Sequence, residues 1–328
     1  MKWSWKLGEV SGIGIYMHAT FIILLAWVAW SHWQREHSVL MVLVGTGFIL
    51  ALFGCVVLHE LGHALMARKF GIPTRDITLL PIGGVARLER MPDDPKQEML
   101  VALAGPAVNL VIAALLFLFL RPKLGLLLRQ LSVSEGPSLA RLMVVNVFLV
   151  LFNMLPAFPM DGGRVLRALL AQRMEYVRAT NVAASIGQGM AFLFGFLGLL
   201  YNPFLLFIAL FIYMGAAQEA TMVQMNTALR GIPVRNAMVT NFRTLSKNDS
   251  LSQAMANLLS GCQQDFPVLD QGTVVGVLTR GALLTTLAEK GVDAPVAEAM
   301  HDSLGTADEN EMLEGIFHRM QQCGCSAL

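Results

Sequence analysis

The chain has 328 residues, 55% hydrophobic and only 14% charged, where a soluble globular chain carries roughly a quarter charged residues. With a mean hydropathy of +0.57 it reads as a membrane protein, and a net charge of +1 gives no argument for a nucleic-acid partner. Its four cysteines, Cys55, Cys262, Cys323 and Cys325, form no regular framework, which speaks for reduced thiols.

Met1–Met17 is short and polar at first, with Lys2 and Lys6. No cleavable leader is evident, because the first apolar segment is long and lacks a small-residue cleavage site. His18–Trp33 reads as a first membrane span, with Trp27, Trp30 and Trp33 gathered towards its far end as interfacial anchors. Val39–Phe70 is a second, longer span that holds His59-Glu60-Leu61-Gly62-His63 near its end. Thr78–Glu89 alternates weakly around Gly83-Gly84, as a hairpin does.

Glu98–Leu120 is a third span and contains Ala104-Gly105-Pro106-Ala107-Val108-Asn109. Leu139–Leu155, a fourth, runs into Asn153-Met-Leu-Pro156-Ala-Phe-Pro159-Met-Asp161-Gly162-Gly163. Two prolines and a glycine pair end the helix there and leave Asp161 on irregular backbone. Val182–Leu200 and Pro203–Met222 complete six spans, and Gly187, Gly189, Gly195 and Gly198 suit close helix packing in lipid. Lys and Arg crowd the loops on one side, which puts both termini in the cytoplasm and the two polar motifs at one membrane face.

After Arg230 the composition turns soluble and an internal repeat appears. A shift of 62 residues lays Val234 on Val296, Met238 on Met300, Leu251 on Leu313 and Phe266 on Leu328. The expected organisation is therefore a membrane domain over 1–225 and a soluble module over 226–328. Within the module a first repeat covers 233–290 and a partial second one 295–328, as though cut mid-repeat, with its last stretch poorly packed. The fold class is an all-α polytopic membrane domain of about six transmembrane helices with a short membrane-associated β-hairpin, plus an α/β cytoplasmic module.

Two histidines four apart project from one helix face and can hold one metal ion, with Glu60 placed to reach a water at that metal. Ionisable side chains inside a span cost several kcal/mol and are rare unless they function. Catalytic zinc takes three protein ligands and leaves a fourth position open. His59 and His63 supply two, and Asp161, on its broken turn at the same face, is the best placed third; its other reading is a helix N-cap. Zinc then lowers the pKa of its water and Glu60 serves as general base and acid. Asn109 and Asn153 either hold the substrate or bond between helices. The Gly83-Gly84 hairpin offers an edge for strand addition.

On HELGH (His59–His63), AGPAVN (Ala104–Asn109) and NMLPAFPMDGG (Asn153–Gly163) the sequence resembles the site-2 protease family of intramembrane zinc metalloproteases, over roughly residues 8–225. The resemblance implies His59, His63 and Asp161 as zinc ligands, Glu60 as catalytic acid/base and Asn153 as a substrate-positioning residue, with Gly83-Gly84 in a membrane-associated loop. It implies cleavage of transmembrane or membrane-anchored proteins near the cytosolic face. The repeat resembles a pair of cystathionine β-synthase (CBS) motifs, which implies regulation, homodimerisation or an adenine nucleotide. Ala282 stands where nucleotide-binding copies carry an aspartate. The competing reading is a CBS-regulated metal-ion transporter or channel with zinc as cargo; Glu60 discriminates, since transport needs ligands but no acid/base between them.

Overall fold

The computed structural model describes residues 3–81, 83–88, 92, 94–120, 138–302 and 305–323. By its contacts the chain divides into two units, Met1–Val223 and Gln224–Leu328. In the first unit, the short opening segment that reads as polar at first is a β-hairpin of β1 (Ser4–Val10) and β2 (Ile13–His18). The turn explains it: Ser11 at φ 53° and Gly12 at φ 80° are two successive left-handed residues, whose twist matches that of paired strands. α1 (Ala19–Glu36) and α2 (Val39–Lys69) follow. β2 then pairs parallel with β3 (Thr74–Leu80), and β3 antiparallel with β4 (Gly83–Leu88). The expected hairpin is thus half of a four-stranded sheet of order β1-β2-β3-β4, with β4 at its edge.

The remaining helices that begin in this unit are α3 (Pro95–Leu120), α4 (Ser138–Asn153), α5 (Asp161–Ala171), α6 (Tyr176–Leu200) and α7 (Phe204–Leu229), the last running past Val223. Among the described residues α2, α3, α6 and α7 are long and apolar enough to cross a membrane, and α4 holds a shorter apolar run. α1, read from the sequence as the first span, is outside that set. Ser31, His32, Gln34, Arg35 and Glu36 dilute its apolar run. Outward faces carry residues such as Phe119, Phe192, Phe207 and Trp30, all exposed, as a chain solvated by lipid requires.

Three packing features position the site. The inner face of the sheet lies on the half of α2 that carries the histidines, through Ile13 and Ile77 against Leu61 and Ala64, while Leu79 packs on Phe21 of α1 and Phe53 of α2. α2 and α3 approach closely: a Cβ at Gly62 would sit 2.8 Å from the Ala104 carbonyl oxygen, which explains a poor helix former at that place. The proline turn before α5, with a cis Phe158-Pro159 bond, buries Ala157, Phe158 and Met160 and leaves Pro156 and Pro159 exposed. Phe158 packs on Ala183, Ala184 and Ala216, and Ala157 and Met160 pack on Ala191 and Ile212.

In the second unit, β5 (Leu245–Ser246), α8 (Leu251–Leu259), β6 (Phe266–Asp270), β7 (Thr273–Leu278), α9 (Arg280–Lys290) and α10 (Leu313–Cys323) follow in order. β5 and β6 run parallel and β7 antiparallel to β6. The 62-residue repeat is visible as geometry, since the 3-10 turn Val234–Asn236 recurs at Val296–Glu298 and α8 recurs as α10. Hydrogen bonds between the copies come in mirrored pairs. The Val234 N–H donates to the Glu311 carbonyl at 2.9 Å, and its counterpart at Val296 to that of Asp249 at 2.8 Å. Likewise the Leu313 N–H donates to Ile232 and the Leu251 N–H to Ala294. A local two-fold relates the copies, and Val296 and Ala299 of the second join the core of Leu245, Leu251, Phe266, Val268, Leu278 and Leu283. The poorly packed end expected from the sequence falls on 324–328, which lie outside the described residues. Cys55 and Cys262 are free thiols, whereas Cys323 is disulfide-bonded, a correction to the expectation of reduced thiols; Cys325 lies outside the described residues.

Candidate metal centre

α2 brings His59 and His63 to one face a turn apart, both buried, with their Nε2 atoms 3.1 Å from each other. Asp161 places its Oδ2 atom 3.2 Å from each of those nitrogens. A metal bonded at about 2.0–2.1 Å in a tetrahedral sphere spaces its ligand atoms roughly 3.3 Å apart, so the three donors match one face of such a sphere. Among the described residues this is the one group of three His, Cys, Asp or Glu side chains able to hold an ion. The N-cap reading of Asp161 does not hold. Met160 occupies the cap and Asp161 the first helical position, so its carboxylate turns to the histidines instead.

Room for an ion is built into α3. A Cβ on Gly105 would lie 2.2 Å from His63 Nε2 and 2.7 Å from His59 Nε2, so only bare backbone fits against that face of the pair. Both rings are held from behind. His63 Nδ1 lies 2.7 Å from the Val101 carbonyl oxygen, which can only accept, so Nδ1 carries the proton and Nε2 turns a lone pair inward. His59 Nδ1 lies 2.6 Å from Asn109 Oδ1. Burial opposes ionisation of Asp161, but the two imidazoles, donating from Nε2 in their protonated form, outweigh it and hold the carboxyl well below the usual carboxylate range. A cation competes with those protons for the same atoms, and once they leave, all three groups present the donor form it needs.

Glu60 is half-buried and lies under the edge strand: a Cβ on Gly84 would come 2.9 Å from Glu60 Cγ. Gly83 and Gly84 are the first two residues of β4, and Gly83 at φ 145° sits in backbone that glycine alone adopts without strain. Asn153 is the last residue of α4, half-buried. Asn109, expected from the sequence to face a substrate or another helix, is wholly buried and committed to His59 and, through its Nδ2, to Asn146 Oδ1 at 2.8 Å. It belongs to the support of the centre rather than to its open side.

Arg167, by sequence one of the Lys and Arg residues that crowd one side of the membrane, is 0% exposed. Its Nε donates to Glu98 Oε1 at 2.8 Å and its Nη1 to Glu219 Oε1 at 2.6 Å, and the guanidinium lies over the rings of Phe158 and Tyr176. Six residues beyond Asp161, it fastens α5 to α3 and α7. The available signal was that Glu98 and Glu219 are acidic residues inside apolar stretches, which need a cationic partner.

The sequence profile of peptidase family M50 matches residues 47–129 and 132–194, and that of the CBS domain matches 234–289. The zinc metalloprotease MJ0392 of Methanocaldococcus jannaschii is 35% identical over 282 residues, which cover 86% of this chain and 79% of that one. The zinc metalloprotease candidate Rip3 of Mycobacterium tuberculosis is 28% identical over 97% of this chain and 85% of its own length. Among solved structures, the site-2 protease from Methanocaldococcus jannaschii aligns with 74% of this chain and 100% of that chain at 35% identity, with a TM-score of 0.48.

Proposed function

As the chain belongs to peptidase family M50 and is a zinc metalloprotease of the site-2 type, we propose that it hydrolyses peptide bonds of transmembrane or membrane-anchored proteins near the cytosolic face. The carrying observation is the convergence of His59 Nε2, His63 Nε2 and Asp161 Oδ2 within 3.1–3.2 Å of one another, beside a carboxylate and under an edge strand. These three residues would hold the zinc. When bound, zinc supplies Lewis acidity towards a carbonyl oxygen and towards water.

The other steps fall to side chains and backbone. A helical substrate hides its carbonyls, so the scissile stretch must be extended, and the outer edge of β4 can take it as an added strand. A strand lying there passes over Glu60. Glu60 accepts the proton of the attacking water and returns it to the leaving amine, so one carboxylate acts first as base and then as acid. Asn153, at the end of α4, holds the substrate backbone. Val101 and Asn109 keep the two imidazoles aimed throughout.

The protein is a multi-pass membrane protein. Six spans with cytoplasmic termini are supported by the loop charges Lys6, Arg68, Lys69, Arg75 and Arg87 on one side. The CBS module serves as a regulatory and dimer-forming unit, with an adenine nucleotide as the ligand class to try first. Transport of zinc as cargo would leave Glu60 and the strand edge above it without a task. The deciding experiment is Glu60→Gln in the full chain, co-expressed with a membrane-anchored reporter. The variant should bind zinc stoichiometrically and leave the reporter whole; normal cleavage by it would overturn the mechanism.

A further inference from the structure

Behind His59 the polar contacts continue one residue further than the metal site needs for packing. Asn109 and Asn146 are each 0% exposed, at the middle of α3 and α4. Asn146 Nδ2 lies 2.8 Å from the Leu142 carbonyl oxygen and 3.5 Å from Cys55 Sγ, and Asn146 Oδ1 lies 2.8 Å from Asn109 Nδ2. A backbone carbonyl only accepts, so the amino side of Asn146 must face Leu142. Its oxygen then faces Asn109, which must donate. That leaves the Asn109 oxygen towards His59 Nδ1, 2.6 Å away, and His59 must carry its proton there. The order of donors is set from Leu142 outwards, and every link is forced by the one before it.

We infer that Asn146 is a positioning residue for the metal centre, acting through Asn109 to hold His59 in the tautomer whose Nε2 is free for a cation. This rests on the zinc reading above. Without an acceptor at 146, the Asn109 amide can rotate and offer its amino group to Nδ1, which places the ring proton on Nε2 and blocks that ligand. Groups that orient a metal-bound histidine are worth about 10–100-fold in metal affinity.

The test uses the full chain in detergent, with zinc affinity measured by competition against a chromophoric chelator and the cobalt-substituted spectrum recorded in parallel. Asn146→Leu should weaken zinc by about 10–100-fold. Asn146→Asp should stay near the parent, since a protonated aspartate can accept from Asn109 and donate to Leu142. In an Asn109→Ala background, Asn146→Leu should cost nothing more, because the residue it acts through is gone. A residue needed only for packing would lower the unfolding midpoint and weaken zinc equally in both backgrounds. Parent-like zinc affinity in Asn146→Leu, or an undiminished loss in the Asn109→Ala background, would overturn the inference while the zinc reading stands. A parent that binds no zinc would remove both.

Discussion

Gly105 tests the geometry of the centre with a single methyl group. In Gly105→Ala the new Cβ falls 2.2 Å from His63 Nε2 and 2.7 Å from His59 Nε2. Ordinary contact begins near 3.4 Å, so His63 must retreat by about 1.2 Å or α3 must move. The ring cannot retreat cheaply, because its Nδ1 is held 2.7 Å from the Val101 carbonyl and the same displacement would stretch that bond beyond the ~3.2 Å limit of a hydrogen bond. Misplacement by about 1 Å costs on the order of 100-fold where geometry governs, and here it strikes two donors together. We expect zinc affinity to fall by at least about 100-fold, with peptidase activity following. The assay is metal content of the purified protein plus chelator competition, alongside Gly54→Ala as control. Gly54 lies on α2, the helix that carries the histidines, with nothing within 4 Å of its Cβ position, so alanine there should leave zinc unchanged and can favour the helix by up to ~1 kcal/mol. Full zinc occupancy at parental affinity in Gly105→Ala would refute the placement of the ion between these side chains.

Gly84→Val should leave zinc bound yet slow reporter cleavage by about tenfold or more, because the new side chain meets Glu60 Cγ at 2.9 Å and crowds the acid/base; unchanged cleavage would separate β4 from catalysis. Arg167→Leu leaves Glu98, 1% exposed, without its cation and should cost about 3–5 kcal/mol, read as a lower unfolding midpoint in detergent that Glu98→Gln in the same chain partly restores. Asp161→Asn keeps the shape of the ligand but not its charge. It should retain the fold, lose most zinc affinity, and bring cleavage below detection at zinc concentrations that saturate the parent.

Much of the centre was legible in the sequence because its chemistry is local. The two histidines and Glu60 lie within one helical turn, and the prolines before Asp161 and the glycine pair after it mark a break in the chain. The 62-residue repeat was readable for the same reason, since corresponding residues carry their own identity. What stayed hidden depends on contacts far apart in the chain. Strand β1 is exposed along most of its length, so no in-and-out alternation marked it, and only the Ser11-Gly12 turn gave a hint. Arg167 sits close to loops and reads as a topogenic charge until Glu98 and Glu219 are seen on either side of it. Asn146 stands alone in an apolar run, and its meaning comes from Asn109, 37 residues earlier. Asn109 stayed open between two readings because a buried amide in a span can serve a substrate or a neighbouring helix, and its bonds to His59 and Asn146, on two other helices, are the second of these.

X-ray absorption at the zinc edge of the full-length protein reads the coordination sphere directly. We expect two imidazole nitrogens and light oxygen donors at about 2.0–2.2 Å, with one nitrogen lost in His63→Ala and no sulfur shell from Cys55, the thiol one turn before His59. A sulfur scatterer near ~2.3 Å, or an unaltered spectrum in Asp161→Ala, would contradict a centre made of His59, His63 and Asp161.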